Sequence, residues 1–523
     1  MTERLRSYVM GEWIEGAGSH RPLVDPTRGV ALAEASTEGI DMKAALAFAR
    51  ERGGPALRAM TFAERGALLA AASSAIHERR EALIEVGVQN AGNTRKDAKF
   101  DIDGATATLS WYARLGEKLG QGRFLLDGGE ERLSRNPRYV GRHIRVPLRG
   151  CALHINAFNF PAWGFAEKAA VAILAGVPVI TKPATSTALL TARIFEALVE
   201  GGVMPVGALS LLLGGAGDLL DHLTTQDVVA FTGSSDTGRA IKGHPNVVAR
   251  NVRVNIEADS VNAAVLGADV EPGGDTWDLF VREVANDMTQ KAGQKCTAIR
   301  RIFAPADRMD EVQSALIDEL SGASTGDPSH RDVTVGPLAT GAQLKDIRAG
   351  VDRLRAAARP VFGDGGRGEL VGVEGEGGFF IAPTLLRVDD GHAAEVVHAH
   401  EVFGPVATLI PYDGTAADAA ELVCKGDGGL VASIYSDDRD FVAEALFGIA
   451  PYHGRVHIGS AKIADHSPGP GTVMPQMLHG GPGRAGGGEE LGGLRGLSFY
   501  TQRTAVQGLS PLLEKLFVDG VEG

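Results

Sequence analysis

The chain has 523 residues, 44% hydrophobic and 22% charged, a globular mix that excludes a disordered, fibrous or coiled-coil protein. Its 52 Lys and Arg against 65 Asp and Glu leave a formal charge of −13, a poor match for nucleic acid or an anionic membrane. Glycine is abundant, 69 residues without a G-X-Y period, which excludes collagen and points to turns and close backbone approaches.

Length alone suggests two to four domains. Met1-Thr2-Glu3-Arg4 leads into no apolar segment, so no signal peptide is expected. Apolar runs such as 169–177 are too short to span a bilayer. Three cysteines, Cys151, Cys296 and Cys424, form neither a disulfide framework nor a zinc spacing. The expectation is a reduced, cytoplasmic protein.

Residues 40–120 read as helices. Thr61 and Glu64 have capping-box spacing, and Leu68, Leu69, Ala72, Ile76 and Leu83 keep one face apolar. Residues 138–146 alternate as an exposed ribbon would. From 151 to 241, apolar runs at 151–155, 177–181, 209–213 and 228–232 alternate with helical patterns at 165–174, 186–200 and from about 235. Gly176 and Gly201-Gly202 stop the first two helices. This alternation means a parallel sheet with covered faces, which binds ligands at the carboxyl ends of its strands. From 257 to 470 the alternation continues less cleanly, with helices at 277–291 and 308–320. Residues 360–380 read as a glycine-rich loop, and 464–493 as an ordered or lid-like loop too rich in Gly and Pro for a core element.

Chemistry-bearing residues follow the runs. Asn156 to Pro161 offers amides beside a turn, able to donate to an oxyanion. Lys182 ends the second run, where a lysine before a helix reaches ribose or phosphate. Phe231-Thr232-Gly233-Ser234 lets backbone N–H groups approach a pyrophosphate, without the full GxGxxG spacing. Cys296 lies in Gly293-Gln294-Lys295-Cys296, where the adjacent lysine favours thiolate. Cys151 and Cys424 read as core. Glu257 and Glu401 end apolar stretches, costly positions for idle carboxylates. His398 and His400 read as solvent-exposed, and no metal site is expected. No histidine is placed beside Cys296 by any motif, which leaves a cysteine hydrolase without its base.

In order, these segments resemble the aldehyde dehydrogenase superfamily over nearly the whole chain. Asn159-Phe160-Pro161, Lys182-Pro183-Ala184, Phe231-Thr232-Gly233-Ser234, Glu257 and Gly293-Gln294-Lys295-Cys296 carry the likeness. Gly336-Pro337-Leu338, Phe380 to Thr384 and Glu401-Val402-Phe403-Gly404-Pro405 follow in register. Within the superfamily, residues 154–161, 291–301 and 479–491 look closest to the branch acting on CoA-linked semialdehydes in aromatic-acid degradation.

The resemblance implies an α/β fold. A Rossmann-like cofactor domain would take 1–130 and 151–256, a catalytic domain 257–478, and an oligomerisation and C-terminal segment 131–150 and 479–523. It implies oxidation of an aldehyde, a CoA-linked semialdehyde, to the acid. Cys296 is the implied nucleophile, Asn159 the oxyanion donor, Glu257 the general base, and Lys168 with Glu490 a proton-relay pair. Phe158, Lys182, Ala184, Thr185, Ser186, Gly217, Thr232, Gly233, Ser234, Thr237, Glu401 and Phe403 would hold the cofactor. Thr185 stands where NAD-preferring members often carry glutamate, so NADP is expected over NAD. A homodimer is expected. Ala258-Asp259-Ser260 after the base and Gly483 near the C-terminus depart from the family pattern. A CoA-acylating dehydrogenase, which needs no general base, and a non-catalytic cofactor-binding protein are the alternatives.

Overall fold

A computed structural model describes residues 2–523. Two sheets organise it. The first runs in the order Arg253–Glu257, Val228–Thr232, Ala152–Ile155, Val179–Lys182, Leu209–Leu211, Glu3–Val9, Val30–Ala35, Arg21–Asp25, with Glu12–Glu15 added beside Glu3–Val9. Its first five strands are parallel. The chain builds outward from Ala152–Ile155 on one side and then returns to its other side. The topological switch therefore lies between Ala152–Ile155 and Val228–Thr232, where open α/β sheets place their ligands.

The second sheet runs in the order Arg359–Phe362, Thr384–Arg387, Val406–Tyr412, Ile299–Pro305, Asn262–Leu266, Gly429–Tyr435, His453–Gly459. Only the Arg359–Phe362 edge pairs antiparallel. The segment from Ala258 to Val261 carries the chain from one sheet to the other.

Local chemistry sets the helices. The Glu64 N–H donates to Thr61 Oγ1 at 3.2 Å and the Thr61 N–H to Glu64 Oε2 at 2.7 Å, closing the expected capping box at the start of Phe62–Glu78. Helix Trp163–Ala175 is buried along nearly its whole length. It ends at Gly176, whose φ of 88° is a left-handed cap that favours glycine.

A five-stranded ribbon pairs Thr501–Leu509 along the full length of Tyr139–Pro147. It also takes Glu131–Arg132, Phe124–Leu126 and Gly520–Glu522, so it begins before residue 131. Residues 479–500 lie outside it. Leu478–Gly481 and Gly488–Leu491 instead form a hairpin packed beside Arg253–Glu257 and helix Trp163–Ala175. The glycines in this stretch permit backbone contacts that a core strand with side chains would block: a Cβ on Gly480 would stand 2.1 Å from the Gly488 carbonyl. Among the described residues, no helix is long and apolar enough to cross a membrane.

Two expectations change. His398 is buried, not exposed; its Nε2 contacts the Gly391 carbonyl and its Nδ1 the Arg301 guanidinium. Burial, with Arg301 beside it, holds His398 down at about 4, so it is neutral at pH 7. Cys424 is only partly buried because it closes a surface helix, whereas Cys151 is fully buried.

Candidate active site

The loop bearing Cys296 begins where helix Asp275–Thr289 ends. Lys291, Ala292 and Gly293 all take left-handed conformations, with φ of 55°, 52° and 67°. Two of the three are non-glycine residues, so strain is stored here. A Cβ on Gly293 would stand 2.2 Å from the Gly404 carbonyl, which explains the glycine. Arg300 fastens the turn, donating to the carbonyls of Gly404 at 2.6 Å and Gly293 at 2.8 Å. The Asn262 amide donates to the Cys296 carbonyl at 2.8 Å. These bonds fix the backbone on both sides of the sulfur.

Cys296 faces a cavity shared with Asn159, Glu167, Lys168, Thr232, Glu257, and His479. Its free space is about 30 Å³, room for one water. Trp163 and Val473 separate it from a wider cleft of about 560 Å³. Glu257 ends strand Arg253–Glu257, as the sequence suggested, and Asn159 follows strand Ala152–Ile155. The structure thus gathers the nucleophile, amide and base candidates from three segments.

The relay candidates also meet. Lys168 Nζ lies 3.0 Å from Glu490 Oε2 and 3.0 Å from Glu167 Oε1. Asn255 donates to the other Glu490 oxygen at 3.0 Å. Burial lifts Glu490 to about 7 despite the lysine, close to a working range for proton transfer. Burial also raises Glu257, but His479 and then Lys168 outweigh it and hold the carboxylate below its usual range. Burial, then the Glu257 charge, pushes the Cys296 thiol well up.

The lysine beside Cys296 in sequence does not serve it. Lys295 Nζ turns away to Asp287 at 2.5 Å and Gln290 at 2.8 Å. Lys295 opens the turn whose Ala298 N–H donates back to the Lys295 carbonyl at 3.2 Å, and its side chain is held by the preceding helix, so adjacency misled. The cavity instead holds a histidine that no motif signalled: His479 Nε2 lies 3.8 Å from Cys296 Sγ and 3.1 Å from Glu257 Oε1. Glu167 was also missed, although it directly precedes Lys168.

On the other side of the switch, Ser234 caps helix Ser235–Lys242 by accepting from the Thr237 N–H, and the Gly233 N–H donates to the Glu257 carbonyl at 3.1 Å. Phe158 and Phe403 meet edge to face at 5.8 Å. Thr185 Oγ1 donates to the Gly214 carbonyl, and Gly217 has φ 53°. Ala184 and Ser186 flank Thr185 at the start of the following turn. The unusual Ala258-Asp259-Ser260 is explained by its contacts. The Ser260 N–H donates to Glu401 Oε2 at 3.1 Å, and Asp259 accepts from the Ser235 N–H at 3.2 Å. Gly483 is required by its φ of 59° and by the Asp427 carbonyl, which a Cβ would meet at 2.2 Å.

A sequence model of the aldehyde dehydrogenase family matches residues 13–506. The chain belongs to this family and is an NAD(P)-dependent aldehyde dehydrogenase. It is 50% identical to the 3,4-dehydroadipyl-CoA semialdehyde dehydrogenase of Aromatoleum evansii, over 92% of this chain and 93% of that one. A crystal structure of betaine aldehyde dehydrogenase from Staphylococcus aureus in complex with NAD+ superposes with a TM-score of 0.82 at 26% identity, covering 97% of this chain and 95% of that one. Lactaldehyde dehydrogenase from Escherichia coli shares the fold, with a TM-score of 0.84 at 22% identity over 98% of this chain and 100% of that one.

Proposed function

We propose that this enzyme oxidises a CoA-linked semialdehyde, 3,4-dehydroadipyl-CoA semialdehyde or a close analogue, to the free carboxylate, with NADP preferred. The observation that carries the reading is the convergence of Cys296, Asn159, Glu257 and the Lys168–Glu490 pair on one small cavity.

The Cys296 thiol gives its proton to Glu257, which passes it on towards Glu490, and the thiolate left behind adds to the aldehyde carbon. The Asn159 amide and the Cys296 backbone N–H hold the oxyanion, each such donor being worth about 3–4 kcal/mol. A nicotinamide, when bound there, would supply the hydride acceptor needed to oxidise this adduct to a thioester on Cys296. Glu257 then takes a proton from water, which attacks the thioester and releases the acid. Glu490 and Lys168 carry that proton away from Glu257.

Several features fit the cofactor. Glu401 Oε1 is buried without a hydrogen-bond partner, and Lys182 Nζ has only the Pro183 carbonyl. Burial, reinforced by nearby Arg21, brings Lys182 down to about 8. Two cations and Thr185, with no carboxylate at that position, suit a 2′-phosphate. Lys182, Thr185 and Ser186 would hold the adenosine ribose and its phosphate. Gly217, Thr232, Gly233, Ser234, Thr237 and Ala184 would hold the pyrophosphate side, and Phe158, Glu401 and Phe403 the nicotinamide side.

The wider cleft suits a CoA tail. Lys96, Lys99 and Arg114 offer charges to its phosphates and Trp111 a face for its adenine. A homodimer is supported by the exposed ribbon edge Thr501–Leu509 and by Leu509, Leu512, Leu516 and Val518 exposed around it.

The test is an aldehyde panel with and without the CoA thioester tail, read by nicotinamide reduction with NAD and NADP. The proposal expects the CoA-linked aldehyde and NADP to give the highest kcat/KM, with free acid as product. Release of a new CoA thioester would instead support the acylating alternative. Light scattering on a sizing column checks the dimer.

A further inference from the structure

We propose that His479 is the donor that holds the negative charge as it passes from Glu257 to Cys296 when the nucleophile is formed. The inference rests on the reading of Cys296 as nucleophile and Glu257 as base, and adds a third group in contact with the reacting atoms.

The geometry is specific. His479 sits on strand Leu478–Gly481, is 2% exposed, and has two partners on one nitrogen. Nε2 lies 3.8 Å from Cys296 Sγ, within hydrogen-bonding distance of a sulfur. Glu257 Oε1 is nearer, at 3.1 Å, but lies off the ring N–H direction and has no aligned donor. Nδ1 is buried with no partner. A proton there alone would be an unsatisfied buried donor, costing about 1–3 kcal/mol. The neutral ring therefore carries its proton on Nε2, and the imidazolium carries one there too. In either charge state the atom facing both Cys296 and Glu257 is an N–H.

The step balances simply. The Cys296 S–H bond breaks and an O–H bond forms on Glu257, directly or through the one water the cavity admits. The negative charge moves from carboxylate to sulfur. The His479 N–H lies within reach of both sites, attracted to the carboxylate before transfer and to the thiolate after it. Of the other charges near the sulfur, Glu167 and Glu401 oppose the thiolate while Arg300 and Arg455 favour it, and His479 Nε2 is the group that contacts the sulfur itself. The charged groups facing His479 are Glu257, Glu167 from helix Trp163–Ala175, and Arg455 from strand His453–Gly459; Glu490 is its cross-strand partner in the hairpin.

Alkylation of Cys296 by iodoacetamide tests this on the full-length enzyme, with neither aldehyde nor cofactor present. The modified Cys296 peptide is followed by mass spectrometry across pH 5 to 10. His479→Phe keeps a ring without a donor; His479→Gln restores a donor. The expected result is a rate at pH 7 lowered tenfold or more in H479F, with the thiol inflection moved to higher pH. H479Q should recover to within about threefold of wild type. If Phe is not tolerated by the fold, His479→Met is the donor-free variant. A donor-free variant with the wild-type profile overturns the proposal. So does H479Q as impaired as the donor-free variant at equal melting temperature, which would mean a packing role. Either failure leaves the nucleophile assignment intact, since that is judged by turnover of Cys296→Ala.

Discussion

The proposed catalytic cavity and the proposed cofactor cleft lie on either side of one sheet crossover, and they are built differently. In the cavity, Lys168, Glu257, His479 and Glu490 are all under a tenth exposed and held by one another. On the cofactor side, Ser234 and Thr237 face open solvent and bond mainly to their own turn. Buried charges need partners already in place, because desolvation makes an unpaired one expensive. A cleft that must admit and release a dinucleotide keeps its donors for the ligand. Preorganisation thus concentrates where bonds change.

That contrast predicts unequal consequences of mutation. Cys296→Ala should lower kcat at least about 10⁴-fold, the scale for loss of a covalent nucleophile, measured as nicotinamide reduction. Residual turnover near wild type would break the assignment. Glu257→Gln should slow steady-state oxidation by about 10²–10⁴-fold and slow the burst of reduced cofactor as well, since it removes both the base for water and the acceptor of the Cys296 proton. Rapid-mixing absorbance separates the two phases. Lys168→Met strands Glu167 and Glu490 in a buried site and should cost about 3–5 kcal/mol of stability, read by chemical denaturation.

On the cofactor side the effects should be smaller. Thr185→Glu should move the ratio of kcat/KM for NADP over NAD about tenfold toward NAD, roughly 1.4 kcal/mol of repulsion at a half-exposed position. The smallest effect concerns pH. Burial raises Glu401 to about 7, above its unfolded value of 4.5, so its contribution to stability is present below pH 4.5 and is lost as pH rises through 7. Glu401→Gln keeps an acceptor for the Ser260 N–H and removes that titration. Its melting temperature should gain on wild type between pH 4.5 and 7 and then level off. A constant offset across that range would show that Glu401 titrates normally.

Much of the fold was legible because parallel strands and their covering helices leave strong periodic patterns. The run at 228–232 coincides with strand Val228–Thr232, and the capping box at Thr61 forms as written. The N-terminal strands were not legible: Glu3–Val9 is amphipathic and reaches the parallel strands of the sheet through its pairing with Leu209–Leu211, some two hundred residues away. The hairpin at 478–491 was hidden by its glycines, which carry no hydrophobic pattern yet are what let its two strands approach.

Sequence by itself determined that Glu257 and Lys182 stand at the ends of apolar runs and Asn159 just beyond one, because a parallel sheet presents its strand ends to one edge whatever surrounds them; it placed Cys296 in a loop after a helix. Which charges meet there was settled only in three dimensions. Lys295 adjoins Cys296 in the chain but bonds to Asp287, while His479, 183 residues onward, reaches the sulfur. Proton chemistry depends on separations of a few ångströms between side chains from different elements, and chain order does not encode those distances.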